Sequence, residues 1–220
     1  MRRALLIFLS LVLALVSWST VCAQEEFYVI PAMKGKYAPV PKTGQSIPYK
    51  EKDDGALHKG VAWPTPRFTD NGNLTVTDKL TGLIWTKHAN RFSLKTWVQA
   101  LDEASNLFDP WTEGFPRAIG FSLMDGSKRG DWRLPNIREL QSLVDYGRSN
   151  PALPNTLGTG QWAEGNPFKG VQPSYYWSST TSADLFPDLP DVWSVHFGDG
   201  SVYSMTRQGP AYVWCVRGGP

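Results

Sequence analysis

Oxygen-bearing side chains gather twice along this chain. Asp70, Asn71, Asn73 and Asp78 occupy one turn-rich stretch, and Asp184, Asp188 and Asp191 occupy a second, proline-rich one. Hard oxygen donors at that density suit calcium best, which makes Asp70, Asn71 and Asp78 the candidate ligands. Neither stretch has EF-hand spacing, and Asx-turn capping of exposed loops is the competing and preferred use. Zinc is poorly served, because His58, His88 and His196 are scattered and the chain has only two cysteines. A serine nucleophile needs a tight glycine-flanked elbow, which Trp177-Ser178-Ser179 lacks. These residues predict neither catalysis nor an obligate cofactor, with calcium the one ion to test.

Aromatic side chains offer a different chemistry, since Trp and Tyr rings stack on sugars as readily as they fill a core. Trp85, Trp97, Trp132, Trp177, Trp193 and Trp214 fall in helix- or strand-like patterns and are expected inside. Trp111, Trp162 and Tyr175 fall in or beside loops and are the aromatic contact candidates. With His196, expected to point outward from a strand, and Asp184, Asp188 and Asp191, they make up the candidate ligand-binding set. Arg133 and Arg138 are expected to serve the fold by pairing with carboxylates such as Asp131 or Glu139.

The elements that must position these residues can be read from turns and periodicity. Thr69 to Gly72 and Asp78 to Gly82 read as turns around short strands at Leu74 to Thr77 and Leu83 to Trp85. Leu94, Trp97, Val98, Leu101, Ala104 and Phe108 recur at helical spacing, predicting a helix capped by Ser93 and ending near Pro110. A second helix follows Asn136, with Glu139 completing a capping box and Gly147 placed at C′. Residues 148–173 form a long Gly/Pro/Asn-rich loop of the kind that often carries function. Strands are expected at Ser174 to Thr180, Val192 to Phe197, Val202 to Met205 and Ala211 to Val216. A three-residue hairpin connection, Gly198 to Gly200 with Gly200 left-handed in a bulge, would put Trp193, Val195, Phe197, Tyr203 and Met205 on one face and turn Ser194, His196, Val202 and Ser204 outward.

Composition sets the limits. The 220 residues carry a formal charge of +2, with 20 glycines and 17 prolines, so one folded domain is expected. Arg2 and Arg3 precede an apolar run from Ala4 to Val16 that is shorter than the ~20 residues needed to span a bilayer, and Val21-Cys22-Ala23 suits a cleavage site. This predicts a signal peptide over 1–23, leaving no transmembrane helix after processing. Lipidation at Cys22 is the minority alternative, because Val21 fits that signal poorly. Loss of Arg2 and Arg3 balances the remaining 20 basic residues against 20 acidic ones, which argues against a nucleic-acid partner. It also leaves Cys215 as a lone thiol in an apolar run, read as a buried small hydrophobe. Residues 24–65 are proline-punctuated and aperiodic, read as an extended arm with one short strand at Glu26 to Ile30. The compact domain spans 66–220.

Six motifs within it, FTDNG (Phe68 to Gly72), TVTDKLTGLIWTK (Thr75 to Lys87), DWRLPNIREL (Asp131 to Leu140), YWSSTT (Tyr176 to Thr181), VWSVHFGDG (Val192 to Gly200) and CVRGG (Cys215 to Gly219), resemble the bacterial DUF1566 family, also called the Lcl C-terminal domain. The resemblance implies an α+β, C-type-lectin-like fold, related to that of the formylglycine-generating sulfatase-modifying factors, with two helices, short antiparallel strands and long loops. It also implies an exported, periplasmic, extracellular or surface-bound adhesin- or lectin-like domain that binds glycan or surface protein. The alternative is a structural component of an envelope complex, tethered by the arm. Sulfatase-modifying chemistry needs a redox-active cysteine pair, which one remaining cysteine cannot supply. The collagen-like repeat of the adhesin that names the family is absent, and with it the trimerising stalk.

Overall fold

The computed structural model describes residues 40–116, 122–183 and 190–218. The signal peptide assigned to 1–23, the strand expected at Glu26 to Ile30 and residues 24–39 of the arm lie outside the described residues, as do Asp184 and Asp188.

The fold is mixed α+β, with two sheets. Strands β1 (Phe68–Asp70), β2 (Thr75–Asp78), β3 (Ile84–Thr86) and β9 (Val216–Arg217) form a small antiparallel sheet in the order β1-β2-β3-β9. The larger sheet contains β4 (Leu94–Lys95), β5 (Tyr175–Thr181), β6 (Val192–His196), β7 (Ser201–Met205) and β8 (Ala211–Tyr212), ordered β4-β8-β5-β6-β7. Its pairings are antiparallel except β5 with β8. The final apolar run is thus not one strand. It breaks after Tyr212 so that β8 serves the large sheet and β9 the small one, joining the two.

Alternation along β5 and β6 sends side chains into two cores. Tyr176 and Val195 face the first, where Leu140, Leu143 and Val144 of the α3 region (helix Ile137–Ser142) pack with Trp214, Phe168 and Trp85. Trp214 is its hub: its ring lies 4.8 Å from Phe168, 5.6 Å from Tyr176 and 5.7 Å from Trp85, and its indole N–H donates to the Thr86 carbonyl. Trp177 and Val192 face the second core with Ala100 and Ala104 of α2 (Trp97–Ser105), Trp132 and Cys215. Trp85, Trp132, Trp177 and Trp214 are fully buried, whereas Trp97 and Trp193 are only half-buried.

Helix boundaries shift for local reasons. Leu94 and Lys95 pair with β8, so α2 starts three residues later than Ser93 implied, with Thr96 as N-cap and the Gln99 side chain accepting its N–H. It stops at Ser105, and Asp109 then caps a separate 3-10 turn, Pro110–Glu113. Asn136 and Glu139 form the expected capping box. Gly147 is not its C′ residue, because the helix ends at Ser142 with Leu143 as C-cap. Arg133 bonds both Glu139 carboxylate oxygens at 2.7 Å and the Gly218 carbonyl, so it ties α3 to the end of the chain.

Residues 40–65 are not an extended arm. Val40 to Lys42 pairs with Val61, a third helix, α1 (Asp54–Leu57), forms within the segment, and the Trp63 indole donates to the Lys42 carbonyl. Tyr146 then donates its N–H to the Thr43 carbonyl, fixing the segment to the domain. Gly44 makes this contact possible: at φ +89° it favours glycine, and a Cβ there would stand 2.2 Å from Asp145 Oδ1.

Cys215 is fully buried, and burial pushes its thiol well above the usual range. A thiol reagent is therefore expected to leave Cys215 unlabelled in native protein and to label it fully in denaturant; stoichiometric labelling of the native state would contradict this packing.

Candidate ligand-binding face

Two candidates from the sequence meet on the larger sheet. Tyr175 on β5 lies directly opposite His196 on β6, their rings 4.7 Å apart and tilted by 56°. Tyr203 on β7 completes the group, edge-on to Tyr175 at 5.5 Å. The cluster shares its sheet face with Trp177, at an end where cover is incomplete: Tyr203 is 45% exposed and the His196 side chain 28%. Asp199 follows in the turn, its Oδ1 lying 3.2 Å from His196 Nδ1 and accepting the Ser201 N–H at 2.9 Å. Hydrogen bonds from the Ser201 backbone and then its side chain, with a smaller contribution from His196, hold the Asp199 carboxyl below its ordinary value. The result is an exposed aromatic ledge with an anion and an imidazole beside it.

Tyr203 was assigned elsewhere because the hairpin register differs from the expected one. His196 pairs with Ser201 and Val195 with Val202, so the connection is Phe197 to Gly200, four residues long. Tyr203 and Met205 consequently share a face with Val192, Ser194 and His196 and not with Trp193 and Val195. Phe197 buries itself in the first core as part of the turn, and Gly200 adopts the left-handed φ of +82° expected of it. The apolar count favoured placing every large residue on one face. Two buried faces remove that preference.

The remaining candidates sit apart. Trp111 is 69% exposed on the 3-10 turn after α2. Trp162 is half-buried against the first core, and its indole donates to the Phe168 carbonyl, anchoring the long loop. Asp191 adjoins the opposite end of β6, where its backbone carbonyl accepts the Ser182 N–H and its carboxylate lies 3.5 Å from Ser204 Oγ.

The calcium candidates diverge. Asp70 accepts the Gly72 N–H and pairs with Lys87, Asn71 bonds Thr75 and Thr77, and Asn73 accepts from Thr75. Asp78 is buried against Arg67 at the other end of the hairpin. These are turn- and fold-stabilising contacts, and among the described residues no three His, Cys, Asp or Glu side chains gather where a metal ion could be held.

His88 forms a parallel bridge with Lys169, whose N–H donates to the Lys87 carbonyl and whose carbonyl accepts from Ala89. Burial, then the charges of Lys169, Arg91 and Lys87, depress its imidazole below the ordinary value. The unfolded chain then binds a proton more readily than the folded one, so the contribution of neutral His88 is complete above about pH 6.5 and lost as pH falls through the lower folded value. His88→Gln is expected to flatten the decline in urea midpoint as pH falls below about 6.5; an unchanged slope would place that decline on other groups.

Two sheets, two cores and a half-exposed ring cluster define a mixed α+β domain with an aromatic surface feature at the end of its larger sheet. The chain belongs to the Lcl C-terminal domain family, whose model matches residues 74–217. No curated protein shows significant similarity to it. Among the described residues no helix is long and apolar enough to cross a membrane.

Proposed function

We propose that this is an exported bacterial binding domain, non-catalytic and lectin- or adhesin-like, whose Tyr175–His196–Tyr203 ledge recognises glycan. The carrying observation is the ring cluster itself: three aromatic side chains from adjacent strands, partly open to solvent, beside the Asp199 carboxylate. Ring faces supply apolar stacking area, while Asp199 and His196 offer hydrogen bonds to hydroxyls, the usual division of labour in a binding site. A C-type-lectin-like fold, implied by the family, agrees with this use. The carboxylates of Asp70 and Asp78 are occupied by Lys87 and Arg67, which supports recognition without calcium. Export rests on the signal peptide assigned to 1–23, and the mass of the native N-terminus tests it: a chain starting at Gln24 is expected, and retention of Met1 would contradict it. The tether alternative is weakened because residues 40–65 fold onto the domain. A glycan array probed with the exported protein, with and without chelator, tests the binding reading. Binding of at least one glycan class that survives chelation is the expected result.

A further inference from the structure

A cleft lies between the folded segment 40–63 and helix α3, with a volume of about 340 Å³. That is the small end of the range for ligand sites, suited to one sugar-sized ring. Trp63 and Tyr146 supply aromatic walls, Gln141 an amide, and Lys42 and Arg138 two cations; among the described residues no carboxylate lines it. Tyr146 is exposed and its hydroxyl accepts from Gln141 Nε2 at 2.8 Å, so this edge of the cleft is already aligned. The charges are unanswered. Among the described residues neither the Lys42 ammonium nor the Arg138 guanidinium has an ion pair or hydrogen bond, whereas the nearby acids are engaged, Glu139 by Arg133, Asp54 by Thr43 and Asp145 by Gly147 and Arg148.

We propose that this cleft binds a carboxylate-bearing sugar ring of the uronic-acid kind, its carboxylate taken by Arg138 and Lys42 and its ring held between the aromatic walls. A planar guanidinium facing solvent without a partner is well matched to a carboxylate, which it can grip through two parallel hydrogen bonds. Lys42 and Trp63 precede the family-matching residues 74–217, whereas Arg138, Gln141 and Tyr146 lie within them, so the cleft joins the two parts of the chain. It is independent of the Tyr175 ledge and stands or falls separately.

Calorimetric titration of the protein with glucuronate, and with glucose as its neutral counterpart, tests the assignment. Saturable glucuronate binding is expected, with glucose at least about tenfold weaker. Arg138→Gln should weaken glucuronate by about tenfold or more, and Arg138→Lys by less. Arg138 is exposed and among the described residues its side chain makes no bond, so these variants should fold normally, which their unfolding midpoints check. Tyr203→Ala should leave glucuronate binding unchanged. Equal affinity for the two sugars, indifference to Arg138→Gln, or loss on Tyr203→Ala would overturn the proposal. So would absence of binding, the result expected if the chain's own Glu25 and Glu26 fill the cleft.

Discussion

Asp78→Ala is expected to destabilise the domain by about 3 to 5 kcal/mol, the usual cost of stranding a buried charge. Arg67 and Asp78 are both 0% exposed, and the guanidinium meets the carboxylate at 3.3 Å and 3.4 Å. The carboxylate also accepts the Leu80 N–H at 2.9 Å and contacts Thr81 Oγ1 at 3.3 Å, so it holds the turn between β2 and β3 as well. The guanidinium lies 4.3 Å from the Trp63 ring centre and 4.8 Å from that of Phe68, and it donates to the Ser142 carbonyl at the end of α3. One of its nitrogens, Nη1, has no hydrogen-bond partner among the described residues even with Asp78 present. Removing the anion leaves a buried cation with nowhere to go. Urea unfolding measures the loss, and a cost below about 1 kcal/mol would mean the pair is effectively solvated. The double variant Arg67→Met, Asp78→Ala removes both charges and should recover part of the difference, because a buried pair exchanged for apolar groups is often close to neutral.

Tyr203→Ala should weaken glycan binding by about thirtyfold, the equivalent of a 2 kcal/mol aromatic hot spot, while changing stability by about 1 kcal/mol or less. The separation follows from position. Tyr203 is on the edge strand β7, 45% exposed, and its ring contact is the edge-on one with Tyr175. Tyr175→Ala should reduce binding too, but Tyr175 also packs against the second core and its loss should lower stability. Trp111→Ala is the contrasting case: an exposed indole outside the ring cluster, whose removal should leave binding intact. Comparable losses at Trp111 and Tyr203 would move the site off the ledge.

Local chemistry was the legible part of this chain. The Asn136–Glu139 capping box, the Arg133–Glu139 pair, the left-handed Gly200 and the buried Cys215 each depend on neighbours a few residues away or on a short apolar run, and the structure has all four. What failed depended on partners distant in sequence. For Asp78 the sequence offers turn capping first and calcium second, and its burial against Arg67 is not legible because Arg67 lies before the first strand with no motif linking the two. The segment 40–65 looked extended because its order comes from Thr43, Gly44 and Trp63 meeting Tyr146, Asp145 and Arg67, contacts that leave no periodicity behind. Tyr203 was missed because a sheet buried on both faces does not reveal register by hydrophobic count. The alternation that would have found it was present, but the four-residue turn absorbs Phe197 and shifts the pairing.

The most direct test of the aromatic ledge is a glycan array run in parallel on the unaltered protein and on Tyr203→Ala, both in chelator. The ledge predicts a defined glycan class bound by the first and lost by the second, with matching unfolding midpoints. Uniform absence of binding by the unaltered protein, or an identical pattern from both, would contradict it.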